Sequence, residues 1–180
     1  MNKIKVLMMG IPFILALGAT TPVLATQVSK NAVVKSTTVK GDWIYDESNL
    51  DRKYASVTSL NGFKFPDSEA EDPTTLDLEL FDFGGNYELR LSNRDAFFKC
   101  PSSATCTLQV SFDGGPYKKV DFEVTDGLDE GHINAKRSEY KALITSLKSS
   151  RTMRVKANFV NAGVKEYKFN VGGLKWPSPK

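Results

Sequence analysis

Cys100 and Cys106 are the only two cysteines in this 180-residue chain. Three chemistries are open to such a pair: a disulfide, thiol redox and metal ligation. Thioredoxin-like redox dithiols use Cys-x-x-Cys, whereas the run here is Cys100-Pro101-Ser102-Ser103-Ala104-Thr105-Cys106. Zinc takes four ligands, and two cysteines with a single histidine make a poor set. The reading is therefore a structural disulfide between Cys100 and Cys106. Closing so short a loop stabilises the folded chain by about 2–2.5 kcal/mol on the chain-entropy account. Ser102, Ser103 and Thr105 are then polar positions on a small rigid knob, available to a partner.

Other chemistry-bearing residues carry weaker signals. Ser138-Glu139-Tyr140-Lys141 matches the letters S-x-x-K, in which a serine nucleophile is deprotonated with help from a lysine one turn later. The companion S-D-N and K-T-G motifs are absent, and a helix-capping serine explains the same letters. Acids crowd two regions, Asp121, Glu123, Asp126, Asp129 and Glu130 in one and Asp67, Glu69, Glu71 and Asp72 in the other. Calcium needs six to eight converging oxygens. Asp121 and Glu123 begin an EF-hand-like spacing, but its glycine falls out of place at Gly127, so solvated loops are the default reading. His132 is the sole histidine and is expected in a surface loop before Ile133. No Gly-x-Ser-x-Gly elbow occurs. A pair of surface carboxylates doing acid–base work leaves no sequence signature, so a hydrolase stays as a third-ranked reading. No catalytic, cofactor-binding or metal-binding residue is assigned.

The chain opens with the layout of an export signal. Lys3 and Lys5 form a basic start, residues 6–17 are apolar, and Val23-Leu24-Ala25 suits a signal peptidase. Residues 1–25 read as a signal peptide cut after Ala25. A membrane anchor is the rival reading, but a span needs roughly 20 apolar residues, and Gly10, Pro12, Gly18 and Thr20-Thr21-Pro22 interrupt this one. The expected product carries no membrane span and resides in the periplasm, with the extracellular space as the other exported destination. Such a compartment is oxidising, which suits the disulfide. Lys3 and Lys5 leave with the signal, so 24 basic residues become 22 against 21 acidic ones. A near-neutral chain with no cationic run argues against nucleic acid or an anionic membrane as the main partner.

These residues must be positioned by strands. Apolar side chains alternate with polar ones at Leu76/Leu78/Leu80, Tyr87/Leu89/Leu91, Leu108/Val110/Phe112, Val120/Phe122/Val124, Met153/Val155/Ala157/Phe159 and Tyr167/Phe169/Val171. Period two with one apolar face marks half-buried antiparallel strands. Gly84-Gly85-Asn86, Asp113-Gly114-Gly115-Pro116 and Asn161-Ala162-Gly163 supply hairpin turns. Residues 43–48 and 54–60 read as two more strands. One segment breaks the rule: Tyr140, Leu143, Ile144 and Leu147 form a helical stripe, with Ser138 as its N-cap, so one helix is placed at about 138–149. The fold class is all-β, an antiparallel sandwich or flattened barrel with one α-helix. Residues 26–41 read as a flexible leader with an optional edge strand from Val33, residues 42–176 as one domain, and residues 177–180 as a disordered tail. Trp43 and Trp176 bracket the domain and are expected to plug the core where its ends meet, with partner anchoring as the other role open to a tryptophan.

In order, Trp43, Leu89-Arg90-Leu91 leading to Cys100, Phe112-Asp113 after Cys106, a helix with Leu143 and Leu147, Met153-Arg154-Val155, and the closing Gly163, Phe169 and Gly172-Gly173-Leu174 give the domain a recognisable outline. It resembles periplasmic accessory proteins of the VasI type, associated with type VI secretion, over most of residues 42–176. The resemblance implies a small β-rich periplasmic protein without known catalytic residues. The functional expectation is an exported, non-enzymatic binding or accessory protein whose partner is another protein of the cell envelope. The alternative is an inhibitor or immunity protein that inserts its disulfide loop into an enzyme.

Overall fold

The structure is a computed structural model that describes residues 37–38, 43–49, 52–101, 105–124 and 131–177. The signal peptide, most of the leader, Ser102, Ser103, the acidic residues 126–130 and positions 178–180 lie outside the described residues. The described strands are β1 (Thr37–Thr38), β2 (Ile44–Asn49), β3 (Arg52–Thr58), β4 (Asn61–Gly62), β5 (Asp77–Phe83), β6 (Asn86–Ser92), β7 (Cys106–Phe112), β8 (Lys118–Glu123), β9 (His132–Ala135), β10 (Thr152–Phe159) and β11 (Gly163–Asn170), and α1 (Arg137–Ser149) falls between β9 and β10. All six alternating runs form strands, and all three expected turns join hairpin partners.

Nine described strands make one antiparallel sheet in the order β11-β10-β7-β8-β9-β6-β5-β3-β2, while β1 pairs with β4. Among the described residues the fold is all-β with a single helix, as expected. Its sandwich character comes from one sheet rolled over on itself, and the ladder does not close into a barrel. Alternation explains the roll: each strand turns its apolar residues to one side, and that side can leave water only by facing itself. Phe159 shows the result. It lies at the centre of an aromatic cluster, 4.9 Å from Phe98, 5.1 Å from Phe65 and 5.9 Å from Tyr167 between ring centroids.

The two ends of the roll meet at a seam. Leu60 N donates to Lys168 O at 2.6 Å. The Asn61 side chain donates to Glu166 O at 3.0 Å and accepts from Lys168 N at 2.9 Å. Trp43 Nε1 donates to Val171 O at 3.0 Å, and Lys175 N donates to the Tyr45 hydroxyl at 2.9 Å. Both tryptophans thus sit where the start of β2 and the chain's last described segment converge: Trp43 packs half-buried against the core and Trp176 is buried in it.

Two expectations are corrected. His132 is not a surface-loop residue: it opens β9, opposite Ser92, and β9 is the short strand that joins the two halves of the sheet. With only four residues and two apolar positions, Ile133 and Ala135, it gives too little alternation to be read. Ser138 is not the helix N-cap. That position is Lys136, which makes no side-chain cap hydrogen bond, and Ser138 lies within the first turn. The stripe itself is as read, since Tyr140, Leu143, Ile144 and Leu147 are the buried residues of α1.

Candidate functional site

The expected disulfide is present, joining Cys100 to Cys106 with Cα atoms 4.6 Å apart. Cys106 is the first residue of β7 and is buried, while Cys100 and Thr105 are half-buried. The connection that it braces runs from the end of β6 across the sheet to β7. Within it Phe98 does not end a strand. It forms an isolated bridge with Phe159, flanked by hydrogen bonds from Lys99 N to Asn158 O at 2.8 Å and from Val160 N to Phe97 O at 3.0 Å.

That bridge sorts its side chains by alternation. Phe98 and Phe159 turn inward, so Phe97 and Val160, directly opposite each other, turn outward with 51% and 39% of their surfaces exposed. Val164 lies opposite Asn158 on the neighbouring strand and is 63% exposed. Three apolar side chains thus cluster at one corner, beside a disulfide-braced loop, with the exposed Lys99 at their edge. Sequence reasoning found the braced loop and missed the apolar half of the corner. Phe97-Phe98 reads as core until pairing with β10 shows that only one of the two can face inward.

The remaining candidates do not converge. Ser138 and Lys141 are both exposed on α1. Asp121 accepts from Thr107 Oγ1 at 2.7 Å, and Asp67 accepts from Asn161 Nδ2 at 2.8 Å. Among the described residues no three His, Cys, Asp or Glu side chains are grouped to hold a metal ion. A shallow cavity of about 350 Å³ gathers Asp72, Asp77 and Asp95 around Arg94. Two of these carboxylates tie segments together: Asp77 accepts from Thr58 Oγ1 and Asp95 from Thr74 Oγ1, both at 2.6 Å. On the outer sheet face, Phe81 is buried beneath Tyr54, Phe83 and the guanidinium of Arg90, which lies 4.7 Å from its ring centroid.

Two further cavities lie against α1. One, of about 320 Å³, runs between the helix and the β7–β8 hairpin, with Val110, Val120 and Leu143 in its wall and Lys118, Lys119 and Glu139 also lining it. The other, of about 660 Å³, lies between the β5–β6 turn and the start of the helix and is lined by Gly84, Gly85, Asn86, Tyr87, Arg137, Tyr140 and Lys141. Tyr87 stacks on the buried Tyr140 at 5.7 Å and 21°. The Tyr140 hydroxyl accepts from Trp176 Nε1 at 3.0 Å. Burial pushes the Tyr140 phenol up to about 12, against a smaller opposing effect of that hydrogen bond. Its ring is therefore neutral and fixed. Among the described residues, no helix is long and apolar enough to cross a membrane. Comparison with known proteins found no match to any family model, curated protein or solved structure.

Proposed function

We propose that this chain is an exported, non-enzymatic binding protein of the cell envelope or of a secretion system, which docks a partner protein through the disulfide corner. The observation that carries this reading is the exposed Phe97–Val160–Val164 cluster beside the Cys100–Cys106 brace. Exposed aromatics on a rigid support lose little conformational entropy on docking, and such anchors dominate binding energy. Lys99 at the edge favours a partner whose apolar contact is rimmed by acids. Association with type VI secretion, in the manner of the VasI-type accessory proteins, is the setting we propose for that partner.

The test places a photo-crosslinking residue at Phe97 and, as a control, at the exposed Lys119 on β8. An adduct that forms at Phe97, is absent at Lys119 and disappears with Val164→Asp supports the corner. Adducts of equal yield at both positions, or none at either, would sink it. If the captured protein is an enzyme that the purified chain inhibits, and Ala at Ser102, Ser103 and Thr105 abolishes inhibition, the inhibitor reading replaces the accessory one.

A further inference from the structure

We propose that the cavity between the β5–β6 turn and the start of α1 binds an acidic saccharide, with its carboxylate on Arg137 and Lys141 and a sugar face against Tyr87. The cavity is lined by both cations, the two tyrosines, Asn86 and two glycines, without a carboxylate in its wall. Its volume of about 660 Å³ lies within the roughly 300–1,000 Å³ of small-molecule sites.

The placement of the cations is the main argument. Helix starts favour acids, because the peptide dipoles leave positive charge there. This helix begins with Lys136 at the N-cap position and Arg137 at its first residue, has a single acid, Glu139, in its first turn, and carries Lys141 one turn later. Arg137 and Lys141 are four residues apart, so they repel each other on one helix face as well. Among the described residues neither is in an ion pair. Asp82, whose charge bears on Tyr140, is buried and already accepts from Gly85 N at 2.6 Å. Two cations lining one cavity, with no carboxylate in its wall, are placed to take a ligand. That ligand must be anionic.

The second argument separates a sugar from a simple anion. Tyr87 is half-buried and backed by the ring of Tyr140, whose hydroxyl Trp176 holds. A fixed aromatic ring in a cavity wall offers a flat apolar surface that the C–H face of a sugar covers and a phosphate ion cannot use. Asn86 adds an amide able to donate to, and accept from, hydroxyl groups. At the mouth, Gly84 and Gly85 adopt φ of 66° and 99°, and a Cβ built on either meets nothing within 4 Å, so the turn leaves this side open. The cavity is on a different element pair from the disulfide corner, so the two proposals stand or fall separately.

The test is titration of the purified mature chain with trigalacturonate, followed by backbone amide NMR, with maltotriose and inorganic phosphate as comparisons. Trigalacturonate should shift the amides of Gly85, Asn86, Tyr87 and Lys141, and its affinity should fall with added salt. Arg137→Gln and Lys141→Gln should each weaken binding about tenfold or more, the scale of one charge-assisted hydrogen bond, and Tyr87→Ala should weaken it too. Because Arg137 opposes the helix dipole and repels Lys141 four residues on, Arg137→Gln and Lys141→Gln should unfold at the same or a higher temperature than the parent, so weakened binding will not reflect misfolding. The proposal is overturned if trigalacturonate leaves these amides unmoved at millimolar concentration. It is also overturned if phosphate or maltotriose binds equally well, or if the Gln variants bind like the parent.

Discussion

Loss of the Cys100–Cys106 bond tests the role assigned to the corner most directly. The two residues are six apart in sequence, and closing a ring of that size removes about 2.3 kcal/mol of conformational entropy from the unfolded chain. For a domain of this length that corresponds to a fall in melting temperature of roughly 7–11 °C. The prediction can be divided, because Cys106 is also a buried core residue at 2% exposure. Reduction removes the bond and keeps both sulfur atoms, so its cost is the chain term alone. The double variant Cys100→Ala/Cys106→Ala also loses the buried sulfur and should cost up to about 1 kcal/mol more. Urea unfolding followed by tryptophan fluorescence, with and without reductant, measures both. A reduced protein that unfolds at the same urea concentration as the oxidised one would refute the staple account. An Ala/Ala variant far less stable than the reduced protein would mean that Cys106 acts chiefly by packing.

Four other perturbations follow from the same structure. Ser59 is fully buried, its Oγ donating to Asn61 O and accepting from Leu76 N, so Ser59→Ala should cost about 1–3 kcal/mol in urea unfolding. Gly62 approaches the backbone so closely that an added Cβ would lie 2.8 Å from Pro73 O, and Gly62→Ala should destabilise by about 1–3 kcal/mol, with a neutral result ruling out that approach. Asp113 is exposed, and its carboxylate accepts from Thr152 N and Arg151 N, which hold its pKa below the ordinary 3.8. Its stabilising effect should be present above pH 3.8 and fade as pH falls through the lowered native value, so the gap in urea midpoint between parent and Asp113→Ala should close on acidification. Tyr140 and Tyr167 have raised phenol pKa values, chiefly through burial. Stability should therefore drop as pH rises above 10, and absorbance at alkaline pH should show these two ionising only as the fold opens; normal titration of all six tyrosines would contradict it.

The strands were legible because each carries its own burial record: Leu78 and Leu80 face in, and Glu79 between them does not. β9 was not, since a four-residue strand at the join of the two halves depends on its neighbours Ser92 and Phe122 for its place. The helix stripe was clear, but its first residue was misplaced because Ser138 is a good cap by type and Lys136 a poor one. That same departure, basic residues at the cap and at the first helical position, was the available sequence signal for the second cavity. Nothing local marks Tyr87 as its wall, because Tyr87 and Tyr140 lie on separate elements that meet only in the fold. Phe97 and Val160 likewise become a pair only through the Phe98–Phe159 bridge.

Asn61 also governs what the sheet can recruit. An open sheet has two edges, and each is a row of backbone groups able to template a foreign strand. On β11 the outward groups at Glu166 and Lys168 are already taken by Leu60 and by one asparagine side chain that imitates a peptide unit. The opposite edge is β2, whose pairing with β3 is interrupted by a register shift between Asp46 and Asn49. Leu60 and Asn61 thus blunt the β11 edge against self-assembly. Asn61→Ala should expose the β11 edge, and concentration-dependent association in that variant, absent from the parent, is the expected sign.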